Sequence, residues 1–330
     1  MKVFSFSHRK IKVCFSFILA SSCILSSCAS VSSAGKTASA VMAVANALPA
    51  QHASNQTIEN KTIALKQLSY ETTPLQTLAS SVSVFSQNGV VIDASAAGNG
   101  YVQIKYTGPE KKLKVQVKKD TSTYNYDLNG KGITETYSLQ MGNGQYSIRV
   151  LENVSGSYYK EVCNAPLAVT LSSETAPFLY PNQYVSFTTS SLATKKATEL
   201  TAGANTDVEK LKLIYNYMIK NIKYDFEKAA KVTSGYVPNV DTILTTQKGI
   251  CFDYSSLMAA MLRSQGIPSK VVVGSVDTLA VTHAWNEVYL KGTGWITIKI
   301  EVSNTGWKLI DPTLGASNTV GKGYTTARIY

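Results

Sequence analysis

Near residue 179 the hydrophobic pattern of this 330-residue chain changes period. From about Val82 to Leu171, apolar and polar residues alternate in short runs (YVQIKYTG, KLKVQVKK, YSIRVLEN and LAVTL) split by Gly, Asn and Pro. That is the pattern of strands buried on one face. Further on, NTDVEKLKLIYNYMIKNIKYDF places Val208, Leu211, Ile214, Met218 and Ile222 three or four residues apart, behind Thr206 and Glu209 at capping-box spacing. That is the pattern of an amphipathic helix. One sheet or one bundle cannot satisfy both periods. The chain is long enough for two modest domains, and with 44% apolar and 16% charged residues a packed globular protein is expected. We expect a small β-sandwich, immunoglobulin-like in its many short strands, over 81–175, and a second domain over 176–330.

The second domain reads as α+β. CFDYSSLMAAMLRSQG is a helix stopped by Gly266, with Pro268 just beyond. KVVVGSV is a strand. HAWNEVYL alternates, placing His283, Trp285, Glu287 and Tyr289 on one face, and GWITIKIEV and GWKLIDPT read as the strands that follow. Two helices and then an antiparallel run of strands is the expected order.

The N-terminus reads as a processing signal. Lys2, Arg9, Lys10 and Lys12 precede an apolar stretch from Val13 to about Leu25, followed by small residues. LSSC, Leu25–Cys28, resembles the lipobox of bacterial lipoproteins. That resemblance implies cleavage before Cys28, acylation of its thiol, and anchoring at the extracytoplasmic face of a bacterial cell membrane. Cleavage of an ordinary secreted protein near CAS is the alternative; Cys23 is a weaker lipobox, with Ala20 in place of an aliphatic residue. Residues 1–27 are then the signal, and 28–80, rich in Ser, Ala, Thr and Gln, a tether. The net charge of +11 comes without a block of like charges or an Arg cluster. It describes a lysine-rich surface, or attraction to anionic cell-surface polymers, and no nucleic-acid partner is expected.

Processing removes Cys14 and Cys23 and commits Cys28, leaving Cys163 and Cys251. Cys251 follows Gly249 and opens an apolar helix. It can be a buried hydrophobe, half of a disulfide with Cys163, a metal ligand or a nucleophile. His8 and His52 lie in the signal and tether, so His283 is the one imidazole of the folded part. Two distant cysteines and one histidine give no metal-ligand set, and no glycine-rich phosphate loop sits in context, so no metal and no cofactor are expected. A thiol at a helix start, an imidazole opening a strand and Asp311 ending one supply a nucleophile, a base and an orienting carboxylate, provided the fold brings them together.

KGICFDYSSLMAAMLRSQGIPSKVVVG, THAWNEVYL and GWKLIDPT resemble the three signature blocks of the transglutaminase-like superfamily, over roughly residues 180–315. The resemblance implies a papain-like core with Cys251 as nucleophile, His283 as general base and acid, and Asp311 as orienter. NIKYD resembles the stretch before the family's cysteine, where a Tyr recurs. In one respect the chain departs from the family: two Trp-led strands stand where one is usual. The first ends at Lys299 where an acid is wanted, so Asp311 is preferred to Glu301. The implied chemistry is acyl transfer from protein or peptide amides, cell-wall associated ones among them, through a Cys thioester, as peptidase, deamidase or transglutaminase. The Cys251 N–H is one oxyanion donor. Tyr224 and Gln247 are candidates for the second, or merely pack or face solvent. Trp285 shields the site, lines a substrate groove or is plain core. The alternative function is a catalytically idle transglutaminase-like scaffold serving as a cell-surface binding module.

Overall fold

Period-two sequence becomes paired strand over residues 84–169. The computed structural model describes residues 3–5, 83–276, 279–298, 300–303, 306–309 and 324–330. The strands are β1 (Val3–Ser5), β2 (Val84–Gln87), β3 (Val90–Asp93), β4 (Tyr101–Tyr106), β5 (Leu113–Lys119), β6 (Ser122–Leu128), β7 (Glu135–Ser138), β8 (Gly144–Ser155) and β9 (Tyr158–Val169). They form two antiparallel sheets, ordered β1-β9-β8-β5-β6 and β2-β3-β4-β7. In β5, alternate residues Leu113, Val115 and Val117 are buried. They share one apolar cluster with Ile148 and Val150 of their own sheet and with Ile92, Val102 and Ile104 of the other. The β2–β3 turn is Asn88-Gly89, both at positive φ (51° and 79°), the backbone that a two-residue hairpin requires.

The second domain begins with α1 (Leu192–Thr201) and α2 (Asp207–Asn221). The expected capping box on α2 is present: the Thr206 hydroxyl accepts from the Glu209 N–H, and the Glu209 carboxylate from the Thr206 N–H. Then come β10 (Lys223–Tyr224), α3 (Phe226–Lys231), α4 (Val240–Thr246), β11 (Lys248–Gly249) and α5 (Cys251–Ser264). The strands β12 (Ser269–Val276), β13 (Leu279–Leu290), β14 (Gly294–Ile298), β15 (Ile300–Ser303), β16 (Gly306–Leu309) and β17 (Tyr324–Ile329) complete it. Helices α1, α3 and α4 add to the two expected from the sequence.

Helix α5 is the axis of this domain. Every residue from Asp253 to Ser264 is buried. Leu257, Met258 and Met261 share a core with Ala193 and Ala197 of α1 and Ile214 and Met218 of α2. The same core includes Val271, Val288 and Ile298 from the antiparallel sheet β14-β13-β12-β17. No face of this stretch is left to solvent, so it packs on all sides, its polar residues included. β15 pairs with β16 in a separate two-stranded sheet, with Ile300 opposite Leu309.

Tyr330 packs against the cores of both domains. Its ring meets Tyr184 at 4.6 Å, Tyr124 at 5.7 Å and Tyr126 at 6.2 Å between centroids, and Tyr184 in turn meets Phe252 of α5 at 5.4 Å.

Candidate active site

The start of α5 is shaped by what precedes it. Helix α4 ends at Gln247 in the left-handed region (φ 53°), turning the chain into β11. There Lys248 and Gly249 pair in parallel with Lys223 and Tyr224 of β10. A Cβ on Gly249 would come within 2.7 Å of the Cβ of Asp253, so this close approach requires glycine. Ile250, the N-cap, offers no side-chain acceptor. The Asp253 carboxylate supplies one, accepting the Ile250 N–H at 3.0 Å. Asp253 is fully buried and also receives Lys228 Nζ at 2.5 Å and the Tyr236 hydroxyl.

Cys251 is the first residue of α5, and His283 lies in β13 opposite Gly274 of β12. The β13–β14 ladder ends at the Asn286–Ile298 pair, short of the His283–Trp285 segment. Cys251 and His283 line one small cavity together with Tyr254, Ser255, Ala284, Trp285, Asn286 and Ile298. The structure therefore brings the predicted thiol and imidazole together. Burial pushes the Cys251 thiol up; the N–H groups of Ala284, Phe252 and Cys251 itself pull the other way but do not prevail, and the Asp253 charge adds to the rise. Burial lowers the His283 imidazole.

Other predicted residues fall variously. Tyr224 lies close enough to Cys251 for their charges to interact; its hydroxyl, pushed up to about 12 by burial and then by Cys251, Asp253 and Asp225, stays protonated as a donor. Trp285 lines the cavity but is only 4% exposed. Its ring lies 6.5 Å from His283 at 23° and meets Tyr324 edge-on at 5.1 Å, which makes it a wall more than a groove. Gln247 is exposed and does not line the cavity. Glu301 falls within β15. Asp311 and Cys28 lie outside the described residues. Cys163 and Cys251 are both free thiols, and Cys163 sits in the core of the first domain.

Sequence reasoning missed Asn286. Buried to 2%, it donates from Nδ2 to the carbonyls of Ser255 (2.9 Å) and Lys270 (3.1 Å), tying the cysteine's helix to the histidine's sheet. The available signal was an amide on the core-facing side of HAWNEVYL, where Ala284 and Val288 are its neighbours. Asp253 was missed as well, although an acid in a first helical turn is itself a signal.

Residues 194–300 match the model of the transglutaminase-like superfamily, and this part of the chain is a transglutaminase-like domain. Among curated proteins, the chain is similar to kyphoscoliosis peptidase of mouse and of human, each 29% identical over 128 residues, covering 36% of this chain and 17% of the relative. It is also similar to an uncharacterized Bacillus subtilis protein, YebA, at 29% over 122 residues, or 31% of this chain and 16% of that one. The chain thus spans about a sixth of the length of these relatives. Two solved structures resemble it more distantly. A candidate cysteine protease from Cytophaga hutchinsonii has a TM-score of 0.32 and 15% identity, over 60% of this chain and 77% of that one. A candidate protease from Parabacteroides distasonis has a TM-score of 0.29 and 17% identity, over 61% and 38%.

Proposed function

We propose that the chain is a surface-anchored thiol acyl-transfer enzyme acting on protein or peptide amides. One observation carries the reading. The thiol that opens α5 and the chain's only histidine beyond residue 52 line the same cavity. The relatives named a peptidase support the same class of chemistry.

In this reading Cys251 Sγ attacks the carbonyl carbon of an amide as its proton passes to His283. The tetrahedral oxyanion is met by the Cys251 N–H and the Tyr224 hydroxyl. Collapse breaks the C–N bond, and the proton on His283 leaves with the amine. Water or a second amine then attacks the thioester, giving its proton to His283, which returns it to the departing sulfur. Asp311 orients the ring. The lipid anchor on Cys28 holds the domain at the extracytoplasmic face of the membrane, where cell-wall-associated proteins are within reach.

The test is to alkylate the protein with iodoacetamide across pH, and to incubate it with surface proteins and a labelled amine. Alkylation of Cys251 that slows in His283→Ala, with turnover abolished in both His283→Ala and Cys251→Ala, is the expected result. Amine incorporation identifies a transferase, new N-termini a peptidase and released ammonia a deamidase. Alkylation indifferent to His283, with no turnover on any of these substrates, would overturn the proposal. The second reading, an idle scaffold used as a binding module, has one observation in its favour: burial pushes the thiol up and the imidazole down, both away from an ion pair.

A further inference from the structure

The reaction just described makes no direct use of a charged cluster two residues downstream of the sulfur. Asp253 is a carboxylate with no exposed surface, served by donors from three segments. These are the Ile250 N–H at the helix start (3.0 Å), Lys228 Nζ from α3 (2.5 Å) and the Tyr236 hydroxyl from the loop after α3. Lys228 is itself held in place. Its backbone N–H is capped by Asp225 at 2.9 Å, its ammonium lies 4.4 Å from the centroid of the Tyr236 ring, and its side chain is 29% exposed. The Asp225 N–H donates to the Gly249 carbonyl at 3.0 Å, closing the circuit back to α5. Because Ile250 cannot cap, Asp253 is the side chain that fixes the first turn of the helix, and that turn carries Cys251.

We propose that Asp253 is a positioning residue for Cys251, and that Lys228 and Tyr236 set how much of its negative charge the sulfur feels. The inference rests on the acyl-transfer reading only in taking Cys251 as the reactive group. The physics is a short-range charge balance. A carboxylate near a thiol opposes thiolate formation, and an ammonium and a hydroxyl bonded to that carboxylate offset the opposition. The other titratable groups around the pair are Tyr224 of β10, Asp225 at the start of α3, Tyr254 on α5 and His283 of β13. Lys228 and Tyr236 bond the Asp253 carboxylate itself, so substitutions at Lys228 and Asp253 act on the balance directly.

Three variants of the full chain test this, read by the pH midpoint of Cys251 alkylation with iodoacetamide and by far-UV circular dichroism. Asp253→Asn keeps an acceptor for the Ile250 N–H but deletes the charge. The midpoint falls, and alkylation at pH 7 speeds up ~3-fold. Lys228→Met leaves the carboxylate uncompensated; the midpoint rises and alkylation slows ~3-fold. Tyr236→Phe removes one donor and shifts the midpoint the same way as Lys228→Met, by less. A purely structural role moves Asp253→Asn and Lys228→Met in the same direction, and that outcome overturns the inference. Should Asp253→Asn fail to fold, unchanged midpoints in folded Lys228→Met and Tyr236→Phe overturn it equally. His283→Ala, run in the same assay, reports separately on the acyl-transfer reading.

Discussion

Asn286 Nδ2 lies 2.9 Å from the carbonyl oxygen of Ser255 and 3.1 Å from that of Lys270, so one amide joins α5, β12 and β13 at a buried point. Ser255 is one turn along the helix from Cys251, and Asn286 is three residues along the strand from His283. Replacing Asn286 with Ala removes both bonds at a buried point. A loss of about 2 kcal/mol is expected, measured by urea unfolding. Asn286→Asp is expected to be worse, since it sets a carboxylate against two carbonyls. Alkylation of Cys251 in folded Asn286→Ala should become less dependent on His283, because the strand and the helix no longer share this tie.

Gly274 sits opposite His283, where β12 passes between β13 and β17 with a bulge in the β17 pairing after Val273. A Cβ built there would fall 2.0 Å from the Thr325 carbonyl oxygen and 2.9 Å from the Trp285 ring. The first is backbone and cannot swing aside. Gly274→Ala is expected to cost about 3 kcal/mol and lower Tm by roughly 10 °C, as thermal unfolding would show. An unchanged Tm would mean that β17 does not hold this approach.

The parts of the molecule legible from sequence are those governed by local rules. The alternation of LKVQVKK became β5, Thr206 and Glu209 closed their capping box, and HAWNEVYL kept His283 and Trp285 on one face, their rings 6.5 Å apart. The cysteine at the start of an apolar helix was readable because glycine, thiol and helical period are adjacent in the chain. The residues that hold the site were less readable, because their partners come from far along the chain. Asp253 answers to Lys228 and Tyr236, and Asn286 to Ser255 and Lys270. Helices α3 and α4 escaped notice because six and seven residues are too few to display a period. The pairing of β16 with β15 is a matter of topology that the spacing of GWKLIDPT does not encode.

Arg263 is a guanidinium only 2% exposed. It donates to the backbone oxygens of Ser269 (2.9 Å), Tyr180 (2.7 Å) and Tyr330 (2.9 Å), which lie at the head of β12, ahead of α1 and just past β17. Burial lowers its pKa to about 9, which still leaves it charged near neutrality. Arg263→Met removes the charge and all three bonds, although Tyr330 O keeps the Val271 N–H at 2.9 Å, and a loss of about 3 kcal/mol is expected. Arg263→Lys, a compact ammonium without the planar fork, should recover only part of it. Urea midpoints of the three proteins check the order. A fully stable Arg263→Met would show that the three carbonyls find other donors.

The cavity makes its own prediction about pH and stability. Burial lowers the His283 imidazole below its ordinary 6.5, so between the folded and unfolded values the unfolded chain binds the extra proton. Stability from this group is therefore complete above about pH 6.5 and drains away as pH falls toward the folded value. Burial raises the Cys251 thiol above its ordinary 9.0, so there the folded chain keeps a proton that the unfolded chain releases. That contribution is complete below about pH 8.5 and is lost as pH climbs toward the folded value. The two together shape a plateau across neutral pH. His283→Gln should flatten the acid limb while leaving the alkaline one, and Cys251→Ala should flatten the alkaline limb while leaving the acid one, in urea unfolding from pH 5 to 10. If both limbs persist in both variants, the buried pair is not what shapes them, and the sulfur and ring are better hydrated than their cavity implies.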